Sequence, residues 1–202
     1  TRCSRDWSSD VCSSDLASMK LEISGTEQGE EDTSHDRLSV LRDAHRTLIA
    51  LADGVDASRA AQSAAARAVD ELAKCFRAGS LPDDPRDWAA ILETIDREVL
   101  SDSRASETSA LVILVQQGVV LGASVGDSLA YIVAEDGKPR LLSGGQRRGP
   151  RIGTGMASPV AFGPAELDGR LITRRAMRTR KSGLFRTALA ETLGVPSKLA
   201  AG

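Results

Sequence analysis

The sequence predicts a single α+β domain of antiparallel sheets with helices packed on them, and three observations carry that expectation. Strand-like and helix-like patterns follow one another as strand, strand, helix, helix and then several strands, an order unlike the regular alternation of a parallel βαβ sheet. The most apolar and β-branched stretch, Ala110 to Val133, is interrupted by Gln116, Gln117 and three glycines, so it reads as consecutive buried strands rather than a membrane span. The chain has 202 residues, 41% hydrophobic and 27% charged, which suits one domain with a core.

The elements follow in order. Arg37 to Leu41 and Thr47 to Ala52 read as two short strands of a hairpin, the second ending at Asp53-Gly54. A carboxylate beside a flexible glycine at a strand end suits a site on the rim of a sheet, and equally an ordinary turn. Asp56 is a candidate cap for a helix over 57–78, whose Ala61, Ala65, Ala68, Val69, Leu72 and Phe76 keep helical spacing and which Gly79 stops. The next helix has Asp84 at its cap, Pro85 in its first turn, and Trp88, Ile91, Leu92, Ile95 and Val99 along one face. Both helices read as cover for a sheet. Strands then run over 110–115 and 119–125 with Gln116-Gln117-Gly118 as their turn, and 129–133 pairs with 140–142 around Asp136-Gly137. The stretch from Ser143 to Pro164 is rich in glycine and arginine without the spacing of a nucleotide loop, so it reads as a solvated loop whose arginines could attract phosphate.

Inside the apolar run stands one carboxylate, Asp127, between Gly126 and Ser128. A buried unpaired charge is prohibitively costly, so Asp127 is expected to meet a metal, another cation or several donors. The remaining composition excludes more than it assigns. A formal net charge of -2 gives no global attraction to nucleic acid, and aromatic residues at 3% leave few platforms for stacked bases. Cys3, Cys12 and Cys75 have neither disulfide nor zinc spacing, which points to a reducing, cytoplasmic setting. The segment 1–18 is set apart as an expected disordered artefact, because Asp6 to Leu16 matches the translation of a common sequencing adapter. The domain is expected over 19–173, followed by a divergent basic segment over 174–202.

Three segments together carry a resemblance: Leu51-Ala52-Asp53-Gly54-Val55 before an alanine-rich helix, Glu107-Thr108-Ser109-Ala110 opening a strand, and Ala123 to Ala130 with Gly126-Asp127-Ser128 at its centre. In this order they resemble the PPM-type (protein phosphatase 2C-like) metal-dependent phosphatases, over roughly Leu21 to Thr173. The resemblance implies a four-layer α-β-β-α sandwich and a pair of Mg²⁺ or Mn²⁺ ions at one end of it. It implies that a metal-activated water attacks the phosphorus of a phosphoserine or phosphothreonine in a protein substrate. Carried over by position, Asp53 bridges the metals, Gly54 offers its backbone carbonyl, Asp36 keeps one upstream acid, and Asp127 supports the cluster or holds an accessory ion.

The departures are as specific. His35 stands where the family has the first acid of a pair, and Asp56-Ala57 replaces paired glycines. Arg174-Arg175 follows Thr173 where an Asp-Gly metal motif is expected, so the fold is expected to be incomplete at the C-terminus and the activity weak or absent. The alternative is a pseudophosphatase that binds regulatory partners. A nucleic-acid reading, resting on the arginines between Arg174 and Arg186, has charge but no reading motif. No membrane partner is expected.

Overall fold

A computed structural model describes residues 24–25, 35–56, 58–134, 136–143, 149–174 and 190–191. Alternation along the strands builds it. In strand β3 (Arg46–Gly54), Leu48, Ala50 and Ala52 turn to one side and Ile49 and Leu51 to the other. Strand β4 (Thr108–Gln116) does the same with Ala110, Val112 and Leu114 against Leu111, Ile113 and Val115, and is buried from Thr108 to Val115. A strand apolar on both faces must be covered on both.

One cover is helical. Helix α1 (Arg59–Arg77) and helix α2 (Pro85–Ser101) bury Ala64, Ala65, Ala68, Leu72, Trp88, Leu92 and Val99 against β3, β4 and β5 (Val119–Val125). The small side chains on α1 let its backbone lie close to the sheet. Ser58 caps α1, accepting a hydrogen bond from the Ala61 amide at 3.1 Å. This corrects the expectation for Asp56, whose carboxylate instead accepts from the Ser58 amide and so holds the capping residue itself. Asp84 and Pro85 start α2 as expected.

The other cover is a second sheet. Strands β2 (Asp36–Arg42), β3, β4, β5 and β8 (Val160–Glu166) form the first sheet in that order. The second runs β1 (Ser24–Gly25), β10 (Ala190–Glu191), β9 (Gly169–Arg174), β6 (Leu129–Ala134), β7 (Pro139–Leu141). Every pairing is antiparallel. Ile49, Leu111, Ile113, Val120, Ala130, Ile132 and Leu171 fill the space between the sheets. The α+β sandwich is therefore as the sequence predicts, with three of the four layers present among the described residues. Apart from Arg174 and Ala190–Glu191, the segment 174–202 lies outside them, as do 1–18 with Cys3 and Cys12.

One element departs from expectation. Val160 to Pro164 belongs to β8, not to a loop, because Phe162 buries its ring in the inter-sheet core while Gly163 and Pro164 sit on an edge strand, where a missing amide costs no ladder bond. Opposite it, Gly122 admits no side chain, since a Cβ there would collide with the Val112 carbonyl oxygen and lie 2.9 Å from the Phe162 ring. Gly122→Ala is expected to destabilise the fold by about 3 kcal/mol, measured by urea denaturation. In the β2–β3 turn, the Asp43 carboxylate accepts from the His45 and Arg46 amides and from the Arg46 guanidinium, which hold it below its ordinary value of 3.8. A depressed folded value means that this stabilisation is present above pH 3.8 and is lost as the pH falls through the lower folded value. The stability gap between the native chain and Asp43→Ala should accordingly shrink in acid unfolding curves below that pH.

Candidate functional site

Register brings the sequence-predicted acids to one end of the sandwich. Asp36 pairs with Asp53 across β2 and β3, and Asp53 pairs with Ser109 across β3 and β4. Asp53 shares the parity of Ile49 and Leu51, Asp36 that of Val40, and Ser109 that of Leu111, so all three face the gap between the sheets. Directly opposed residues have Cβ atoms about 5 Å apart, at which distance two carboxylates repel unless a cation lies between them. Gly54 ends the same strand on the other face, where a Cβ would lie 3.0 Å from the Cβ and carbonyl oxygen of Ala61. The start of α1 therefore presses on the strand end that carries Asp53. Beside the pair, His35 Nδ1 is buried with no hydrogen-bond partner, and the His35 carbonyl accepts from the Gly54 amide at 3.3 Å.

Asp127 continues the row on the far side. Gly126, with φ +88°, turns the chain out of β5 so close to Ser109 that a Cβ on it would lie 2.8 Å from the Ser109 Cβ. The Ser109 and Ser128 hydroxyls are 2.9 Å apart and tie the first sheet to the start of β6. Asp127 thus stands at the same end as Asp36 and Asp53, about 10 Å from Asp53 at two strand spacings. It meets a cation, as a buried acid must: Arg151 Nη2 donates to its Oδ2 at 3.1 Å, with the two side chains 23% and 18% exposed. Among the described residues, no group of three or more His, Cys, Asp or Glu converges closely enough to hold a metal ion. The described acids are thus two residues opposed by cross-strand register plus a separate, arginine-bound carboxylate. By register with Leu129, the backbone of β9 reaches this end of the sandwich at Arg174.

Arg151 and a second residue, Asp96, are those the sequence reading did not find. Asp96 is 3% exposed on α2, and its carboxylate accepts from the amides of Gly153 at 2.7 Å, Gly155 at 3.0 Å and Ala157 at 3.0 Å. Charge-assisted bonds of this kind compensate the burial of an anion. An acid in step with Trp88, Leu92 and Val99 on the apolar face of a helix was the available signal, and its partners lie 57 to 61 residues away. Loop 151–157 is further fixed where Ile152, fully buried, exchanges amide-to-carbonyl bonds with Thr108 at 3.0 Å each way.

Comparison with solved structures places this architecture. Serine/threonine phosphatase Stp1 from Staphylococcus aureus superimposes with a TM-score of 0.60 at 18% identity, covering 77% of this chain and 75% of that one. A serine/threonine phosphatase of S. agalactiae gives 0.59 at 18% identity over 78% of each chain. RsbX in complex with magnesium gives 0.50 at 12% identity, over 77% and 70%. The fold is that of the bacterial PPM-type serine/threonine phosphatases. No family model and no curated protein matches the sequence.

Removing the Asp96 carboxylate leaves three amides of loop 151–157 without their acceptor. Asp96→Ala is expected to lower stability by about 3 kcal/mol, and to speed hydrogen exchange at Gly153, Gly155 and Ala157 more than at amides of β4.

Proposed function

We propose that this chain is a metal-dependent serine/threonine protein phosphatase in fold and chemistry, acting on phosphorylated protein in the cytoplasm with low turnover. The observation that carries the reading is the direct cross-strand pairing of Asp36 with Asp53 on the inter-sheet face, at the end of a sandwich shared with serine/threonine phosphatases. The donor set fits a hard divalent ion: two opposed carboxylates gain from a cation between them, and Gly54 can add a backbone carbonyl. Mg²⁺ or Mn²⁺ bound there supplies Lewis-acid activation of water toward a phosphoryl group. Asp53 is the residue that would both hold the ion and orient that water. A divalent ion held there would also attract a phosphate dianion to this end of the sandwich. RsbX, a neighbour in fold, is described in complex with magnesium. No helix among the described residues is long and apolar enough to cross a membrane.

The low turnover follows from the small number of acids. Two carboxylates hold less charge than a binuclear site needs. The same shortage of acids among the described residues is what favours the second reading, a pseudophosphatase that binds partners without hydrolysis. Calorimetric titration with Mn²⁺, alongside release of nitrophenol from an aryl phosphate, separates the two. We expect Mn²⁺ binding to the native chain, at least about tenfold weaker binding to Asp53→Asn, and slow turnover lost in that variant. Binding with no turnover selects the pseudophosphatase, and equal Mn²⁺ affinity in Asp53→Asn overturns the metal site.

A further inference from the structure

We propose that Arg151 is an internal cation that takes the place of a metal ion at Asp127, so that the chain neutralises its outer carboxylate itself and leaves only the Asp36–Asp53 pair for metal. The proposal goes beyond the phosphatase reading, because it concerns Asp127 whatever Asp36 and Asp53 bind.

The chemistry of the contact comes first. Arg151 Nη2 lies 3.1 Å from Asp127 Oδ2, with both side chains mostly covered, so screening by water and salt is weaker than for a surface pair. A guanidinium is charged at every working pH and cannot be titrated away from its acid. The aliphatic stem of Arg151 lies against the Gly126 turn, with its Cγ 3.5 Å from where a Gly126 Cβ would be, an ordinary packing distance. The hydroxyl next to Asp127, Ser128, is engaged with Ser109 and holds the acid's own backbone in place.

The loop around Arg151 is fixed before any ligand arrives. Its neighbour Ile152 is fully buried and bonded in both directions to Thr108, at the opening of β4. The Arg151 carbonyl accepts from the Thr154 hydroxyl at 2.7 Å, and Asp96 clamps Gly153, Gly155 and Ala157 from the side of α2. With its backbone held from two directions, the guanidinium is presented to Asp127 at a high effective concentration, since the entropy of bringing it there was spent on folding. A divalent ion at Asp127 would have to displace this cation, and the single carboxylate offers it few ligands in exchange, with no cluster of three acids formed among the described residues.

The test counts metal ions and does not need turnover. Mn²⁺ is titrated by calorimetry and by electron paramagnetic resonance into the native chain and into Asp127→Asn, Arg151→Lys, Arg151→Met and Arg151→Met/Asp127→Asn. The native chain and Asp127→Asn should bind the same number of Mn²⁺ ions, with dissociation constants equal to within about twofold, as independent sites do. Arg151→Lys should match them. Arg151→Met should gain one weaker Mn²⁺ ion, and the double variant should lose it again. Loss of a Mn²⁺ ion from the native chain on Asp127→Asn alone overturns the proposal, as does an Arg151→Met protein that folds and gains none. Should Arg151→Met fail to fold, the comparison of the native chain with Asp127→Asn still decides. Failure of the Asp36–Asp53 site is read separately, from Asp53→Asn.

Discussion

Burial of β4 on both faces is the constraint on which the rest depends. From Thr108 to Val115 no residue of this strand reaches solvent, so one face must meet helices and the other a second sheet. Its register with β3 then fixes which side chains face which layer, and a slip of one residue would exchange the two sets. Asp53 and Ser109 face the inter-sheet gap because Ile49, Leu51, Leu111 and Ile113 must. The acids are positioned by the hydrophobic pattern of strands whose other residues have no chemistry of their own.

That dependence explains what could be read in advance. Hairpins, the cap of α2 and the amphipathic faces of both helices rest on neighbours within a few residues, and their signals stand in the sequence as periodicity, Asp84, Pro85 and the Gln117-Gly118 turn. The acids Asp36, Asp53 and Asp127 were legible as candidates, from strand-end position and from the cost of a charge in an apolar run. Their partners were not. Arg151 lies 24 residues from Asp127, and the amides that Asp96 holds lie 57 to 61 residues from it, across a glycine-rich stretch whose composition reads as solvated loop. Strand β8 was hidden by the same composition, since Gly163 and Pro164 are tolerated only because the strand is an edge.

The electrostatics of the mouth are graded across the sheet. At β2 and β3 two carboxylate-bearing residues are held opposite one another by backbone register. At the end of β5 the next carboxylate is met by a guanidinium. Between them stand the hydroxyls of Ser109 and Ser128, joined across the two sheets. Acid, hydroxyl and ion pair thus follow one another across four neighbouring strands.

The two ends of the sandwich answer to different demands. The β2–β3 turn at Asp43 to Arg46 and the β4–β5 turn at Gln117 and Gly118 lie together at the end opposite the acids, since Arg46 is in register with Gln116. The β2–β3 turn is closed by the local bonds of Asp43 and the β4–β5 turn also by the Leu167 amide, which donates to the Gly118 carbonyl at 2.8 Å, whereas the acid-bearing end is stitched throughout by contacts between residues far apart in sequence. Change is therefore cheapest at the β2–β3 turn and coupled at the acid-bearing pole. Insertions, affinity tags and new recognition loops can accumulate at the β2–β3 turn over evolutionary time, or be engineered there, while the pole that carries Asp36, Asp53 and Asp127 varies only through several compensating substitutions at once.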